Sequence, residues 1–174
     1  MTSRDEVAEL ASQVVARLLP GLLVRTQESR FWSTTPDEEV LQGIVVSAGI
    51  DVSVGRRSQS VDVKTTYNVD ALRRPEGADD SAGDLPAEAW RSSVVLHGQW
   101  HIEEPQTLSD DAVRAFAVKV GVMTLHPYAR AHIQTAVVAA GWPTYTLDVL
   151  THQDDLFVSE DDPESVDLNL VTLD

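Results

Sequence analysis

The chain has 174 residues, 43% of them hydrophobic, with 28 acidic side chains against 13 basic ones and a formal net charge of -15. That length reads as one domain, and that charge excludes a nucleic-acid surface, which needs clustered Lys and Arg. No apolar run reaches the roughly 18 residues of a membrane-spanning helix, and Met1 to Glu6 lacks the basic-then-apolar order of a signal peptide. With no cysteine there are no disulfides, so a cytoplasmic protein without direct membrane insertion is expected. The N-terminal segment opens on a capping box, Ser3-x-x-Glu6. Val7, Leu10, Ala11, Val14 and Leu18 follow at helical spacing, and Pro20-Gly21 stops the run. Its polar face carries Asp5, Glu6 and Glu9, not the Lys and Arg of a membrane-surface helix. This amphipathic helix is expected to pack on its own domain or on a neighbouring subunit.

Four strand-like runs come next. Leu22 to Trp32 alternates imperfectly. From Ile44 to Val54 the alternation is strict, with Ile44, Val46, Ala48, Ile50, Val52 and Val54 on one side. After a loop over Gly55 to Ser60, Val61, Val63, Thr65, Tyr67 and Val69 face one way, and Asp62, Lys64, Thr66, Asn68 and Asp70 the other. A fourth run places Val94, Leu96, Gly98, Trp100 and Ile102 together. Period-two runs joined by short loops predict an antiparallel sheet covered on one face only. Between the third and fourth runs, Arg73 to Glu88 is rich in Pro, Gly, Asp and Ala and reads as a mobile loop, its acids Glu76, Asp79, Asp80 and Asp84 solvating it.

Thr107-x-x-Asp110 is a second candidate capping box, with Ser109 a competing N-cap. Val113, Phe116, Ala117 and Val120 then mark a helix that the pattern breaks at Pro127, whose ring clashes one turn back. A second helical piece carries Ile133, Ala136, Val137 and Ala140 inward, and Gly141 is a natural residue to follow its end. The tail from Asp154 to Asp174 has eight acids and no Lys or Arg, the composition of a disordered or charged interaction tail. Strands followed by helices is an α+β order. One four-stranded sheet and one long helix leave surface to cover, so oligomerisation is expected.

No catalytic set emerges. There is no Gly-x-Ser-x-Gly elbow, Gly-rich phosphate loop or His-Glu-x-x-His motif. Asp110-Asp111 read as first-turn acids favoured by the helix dipole. His97 and His101 share a strand face, but zinc would need a third ligand, and they read as surface histidines. His126 and His132 straddle the proline; no metal or cofactor is called for any of them. The positive signal is apolar: Trp142, Tyr145, Leu147, Val149 and Leu150 in an extended segment beyond the last helix, and Phe31 and Trp32 at the end of the first strand. They either pack on their own sheet or line a hydrophobic groove.

The segment Pro127-Tyr128-Ala129-Arg130, then Gly141-Trp142-Pro143, then the extended Thr144 to Leu150, in this order after four strands, resembles the SecB-like family of export chaperones. The resemblance implies an α+β fold with a four-stranded antiparallel sheet followed by a long broken helix, here with an extra N-terminal helix. It divides the chain into an N-terminal helical extension over 1–20, a SecB-like domain over 21–157 and an acidic tail over 158–174. It implies a homotetramer (a dimer of dimers) and a non-enzymatic chaperone that holds unfolded chains in hydrophobic grooves without ATP. Pro127, Tyr128, Arg130, Gly141 and Pro143 become structural motif residues, with Tyr128 packing its ring at the bend. Clients are precursors for export or the antitoxin of a toxin-antitoxin-chaperone system. Ala131, where the family often has an acid, and the extra helix favour the dedicated antitoxin role. The polar sheet face, with Asp51, Asp62 and Asp70, is a candidate surface for the export motor ATPase. A non-chaperone adaptor binding one folded partner is the alternative, with a small-molecule or enzymatic role third.

Overall fold

The computed structural model describes residues 4–36, 44–73, 87–145, 147 and 168–170. Ser3 of the first capping box, the acids of the 74–86 loop, Val149, Leu150 and most of the acidic tail lie outside the described residues. The elements are α1 (Arg4–Val15), β1 (Leu18–Ser33), β2 (Ile44–Arg56), β3 (Ser60–Arg73), β4 (Ala87–Ile102), α2 (Asp110–Phe116), a π-helical segment (Ala117–Val122), α3 (Met123–Ala139) and β5 (Leu168–Leu170). One sheet runs in the order β1-β4-β3-β2-β5. The first four strands are antiparallel, and β5 lies parallel on β2. The expected four-stranded antiparallel sheet is present, and the tail adds a three-residue fifth strand to its edge.

The period-two pattern places the core. The inward sets of β3 and β4 are buried, from Val61, Val63, Thr65, Tyr67 and Val69 to Val94, Leu96, Trp100 and Ile102. Helices cover that face. Leu125, Ala129, Ile133 and Val137, one turn apart on α3, are each 0% exposed, the single ridge an amphipathic helix lays on a sheet. Gly98 and Gly121 are the close approaches. A Cβ at Gly121 would stand 2.9 Å from Val63 Cγ1, so the π segment rests directly on β3.

Three local readings are revised. The N-terminal helix ends at Val15 and β1 starts at Leu18, so Pro20-Gly21 lies inside a strand. The register shifts between Leu18 and Leu22, and Gly21 takes φ 115°. β1 is a sheet edge, where a proline costs no ladder bond and a bulge is accommodated. Pro127 sits inside α3, and the irregular stretch lies upstream, at 117–122. The one α-helical donor that Pro127 lacks is addressed to Met123, the first residue of α3 after the π segment. Thr107 belongs to a 3-10 turn over Pro105–Thr107. Ser109 alone caps α2, its hydroxyl accepting from Ala112 N–H at 3.1 Å.

α1 packs mainly on α2, burying Ala11 and Val14. Its exit is tied down by Arg17, whose guanidinium donates to the Thr107 hydroxyl and whose carbonyl accepts from Glu103 N–H at 2.9 Å. α3 ends in a Schellman motif: Trp142 N–H reaches Val137 O at 3.2 Å and Gly141 N–H reaches Val138 O at 3.0 Å, with Gly141 at φ 83°.

Candidate functional site

The Schellman stop decides where the aromatic segment goes. It turns the chain so that Trp142 enters the core, 3% exposed, with the Arg73 guanidinium 6.0 Å from its ring centroid. Arg73 also donates to the Thr34 hydroxyl at 2.8 Å, joining β3 to the end of β1. Beside it, Trp90 stacks on Phe31 with centroids 6.1 Å apart and meets Tyr145 at 5.4 Å. Phe31, Trp90 and Tyr145 therefore meet near the end of β1, and Trp142 and Leu147 belong to the same core cluster. Trp90, absent from the sequence-based set, is the ring that joins Phe31 to Tyr145. Its signal was an aromatic at the start of β4, next to a register shift that pairs Ala71 with Trp90 and Leu72 with Glu88.

Burial divides these residues. Trp142 and Leu147 are core side chains, 3% and 5% exposed. Phe31 and Tyr145 are half-buried against the core. Trp32 is 49% exposed, because it follows Phe31 in a strand and points to the opposite face. Val149 and Leu150 lie outside the described residues. At the other end of β1, Leu19, Leu22 and Leu23 are exposed, next to exposed Val15 at the end of α1. β1 thus carries exposed apolar side chains near both its ends.

Tyr128 does not pack at a bend. It is 49% exposed, since the Leu125-Ala129-Ile133 ridge takes the core-facing side of α3 and leaves Tyr128 off it. The ring buried there belongs to His126, tilted 53° against Tyr67 at 5.6 Å. Pro127 and Pro143 are exposed, and Arg130 is half-buried.

The open sheet face is a polar lattice. Arg91 reaches Asp70 at 2.5 Å and also pairs with Glu88. Ser93 donates to Asn68 Oδ1 at 2.9 Å, and Asn68 Nδ2 donates to Asp51 at 3.3 Å. Asp51 is exposed and Asp70 half-buried. Asp62 is neither: only 2% exposed, it is held by Arg57 from the hairpin loop, with His97 Nε2 3.7 Å away and Ser60 beneath. The register causes this, setting Asp62 opposite Gln99 and next to the hairpin turn, where the Arg57 side chain folds back over it. A buried carboxylate in an ion pair is not a docking surface, so Asp62 leaves the set proposed for one. It lines a cavity of about 310 Å³ with Gln27, Ser53, Lys64, Arg57 and His97.

Among the described residues, no three His, Asp or Glu side chains gather as a metal site. His97 lies beside Asp62, and His101 is exposed. No described helix is long and apolar enough to cross a membrane.

No protein-family model and no curated protein matches the sequence. Among solved structures, the chain is similar to the Mycobacterium tuberculosis SecB-like chaperone Rv1957, solved in complex with a ChAD peptide from the HigA1 antitoxin. The TM-score is 0.69 at 12% identity, over 83% of this chain and 98% of that one. With a four-stranded antiparallel sheet, an added N-terminal helix and a long joined helix laid across one face, the chain has the SecB-like chaperone fold.

Proposed function

We propose that this protein is a holding chaperone that keeps an unfolded polypeptide extended on its surface without ATP, and that its client is the antitoxin of a toxin-antitoxin-chaperone system. The observation that carries this reading is the exposed apolar set on β1, Leu19, Leu22, Leu23 and Trp32, in a chain of net charge -15. Apolar surface binds unfolded chains with little sequence demand, and the like charge keeps separate assemblies from aggregating while it is exposed. The similar structure was solved with an antitoxin peptide, which favours that client class over export precursors.

In this account the client crosses the end of β1, touching Phe31 and Tyr145 on the core side and Trp32 on the opposite side, and Val149 and Leu150 are further proposed contacts. Trp142 and Leu147 support it from the core. Tyr128 and Val138, exposed on α3, supply apolar surface for a dimer-of-dimers assembly in the cytoplasm. Were an export motor also a partner, Asp51 and Asp70 would be its contacts on the polar face.

The test is fluorescence anisotropy with two labelled probes: an unfolded antitoxin segment and an unrelated unfolded polypeptide of similar apolar content. A holding chaperone binds both, the antitoxin more tightly. Binding of one folded protein alone, with neither unfolded probe bound, would replace this reading with the adaptor role.

A further inference from the structure

The two edges of the sheet differ in kind. β1 is blunted along its length: Pro20, Gly21 at φ 115°, register shifts at Leu18/Leu22 and Thr26/Glu28, and the charges Arg25, Glu28 and Arg30. These are the devices by which natural sheets keep other strands from adding. β2 has fewer of them. It pairs with β3 in unbroken register from Ile44 to Arg56, contains no proline, and carries Asp51 as its only charge between Ile44 and Gly55.

A strand already sits on that edge. Leu168, Asn169 and Leu170 pair in parallel with Val52, Ser53 and Val54. This covers three residues of a thirteen-residue strand, and among the described residues nothing else pairs with the outer side of β2. The uncovered part is also the part the core covers least. Val45 is 53% exposed, and Ile44, Val46 and Ile50 are half-buried, while Val52 and Val54 are buried.

We infer that the outer edge of β2 is a strand-addition site for an extended client segment of alternating apolar and polar residues, and that residues 168–170 of the chain itself are its internal competitor. The inference rests on the chaperone reading above and adds to it a second contact, on the opposite side of the sheet from β1: main-chain hydrogen bonds give affinity without sequence demand, and alternate side chains meet the apolar face left open at Ile44 to Ile50. A three-residue strand is easily displaced. A site closed by its own tail most of the time binds with an apparent affinity reduced by the open fraction, so freeing the edge strengthens binding.

The test uses the full chain and Asn169→Pro, which puts a residue poorly suited to a ladder at the middle of the three-residue tail strand. The probe is a fluorescein-labelled twelve-residue peptide of alternating Val and Thr with terminal lysines, read by anisotropy and by hydrogen exchange of β2 amides. The expected result has three parts: Asn169→Pro loses protection at Val52 to Val54, binds the peptide roughly 3- to 10-fold more tightly, and gains protection across Val45 to Val54 when the peptide binds. Peptide binding that leaves the β2 amides exchanging as before overturns the inference alone. A freed tail with unchanged affinity overturns the competition. If neither protein binds this peptide or the unfolded probes of the preceding section, the chaperone reading falls and the inference falls with it.

Discussion

Gly98 tests how the sheet and helix layers meet. It faces the core from the middle of β4, between Leu96 and Trp100, and the Trp100 indole folds back over it. A Cβ built there lies 2.5 Å from Trp100 Cζ3 and 3.2 Å from Leu125 Cδ2 of α3, against an ordinary contact of 3.4–4 Å. The indole has little room to retreat, being 5% exposed and set edge-on to Phe116 at 5.4 Å. Overpacking of this kind costs about 1–3 kcal/mol, so Gly98→Ala is expected to lower Tm by about 2–12 °C for a domain of this size. Gly49→Ala is the control, because a Cβ there meets nothing within 4 Å; it should leave stability unchanged or raised by a few tenths of a kcal/mol. Urea unfolding followed by circular dichroism and by tryptophan fluorescence gives both values. A cycle with Trp100→Leu isolates the clash, since Gly98→Ala should then add little. If Gly98→Ala matched Gly49→Ala in stability, the packing of Trp100 between β4, α2 and α3 would be wrong.

Ser109→Ala removes the hydroxyl that caps α2 and should cost about 1 kcal/mol in urea unfolding, whereas Thr107→Ala, outside the cap, should not weaken α2. Burial pushes the Tyr67 phenol far above its ordinary value of 10.0, only partly offset by the Thr65 hydroxyl. The native state therefore keeps a proton that the unfolded chain releases; this contribution is whole below pH 10 and is lost as pH rises from there toward the folded value. Tyr67→Phe should flatten the fall of stability between pH 10 and 11, and an unchanged slope would contradict it. Trp32→Ala, at a half-exposed side chain, should weaken client binding about 5- to 30-fold with Tm unchanged; equal binding would remove Trp32 from the groove.

Where structure follows from a local period, it was legible in the residues. Val61 to Val69 and Val94 to Ile102 announce their buried faces by alternation alone, and Gly141-Trp142-Pro143 announces the helix stop. β1 was harder because both its faces are largely exposed, so its residues have little reason to alternate, and because Pro20-Gly21 reads as a terminator unless the strand is known to be an edge. The π segment has no compositional mark, and Pro127 drew the expected break downstream of it. Asp62 looked like a solvated strand residue; its burial depends on Arg57, which folds back from the hairpin loop, and on His97, which reaches it only once the register of β3 on β4 is set. β5 was hidden by its acidic surroundings and by being three residues long. At the candidate site, the aromatic residues were legible as a group, but which of them lie inside was not. Trp142 is turned inward by the hydrogen bonds of the Schellman motif, and Trp32 outward by the parity of a strand.

The most direct measurement is the aggregation of a chemically unfolded, slow-folding protein diluted into buffer without ATP, with and without this protein at near-stoichiometric ratio. The account predicts suppression that ATP does not change and that Trp32→Ala weakens. Full aggregation in the presence of the folded protein, with the antitoxin segment also left unbound, would contradict it.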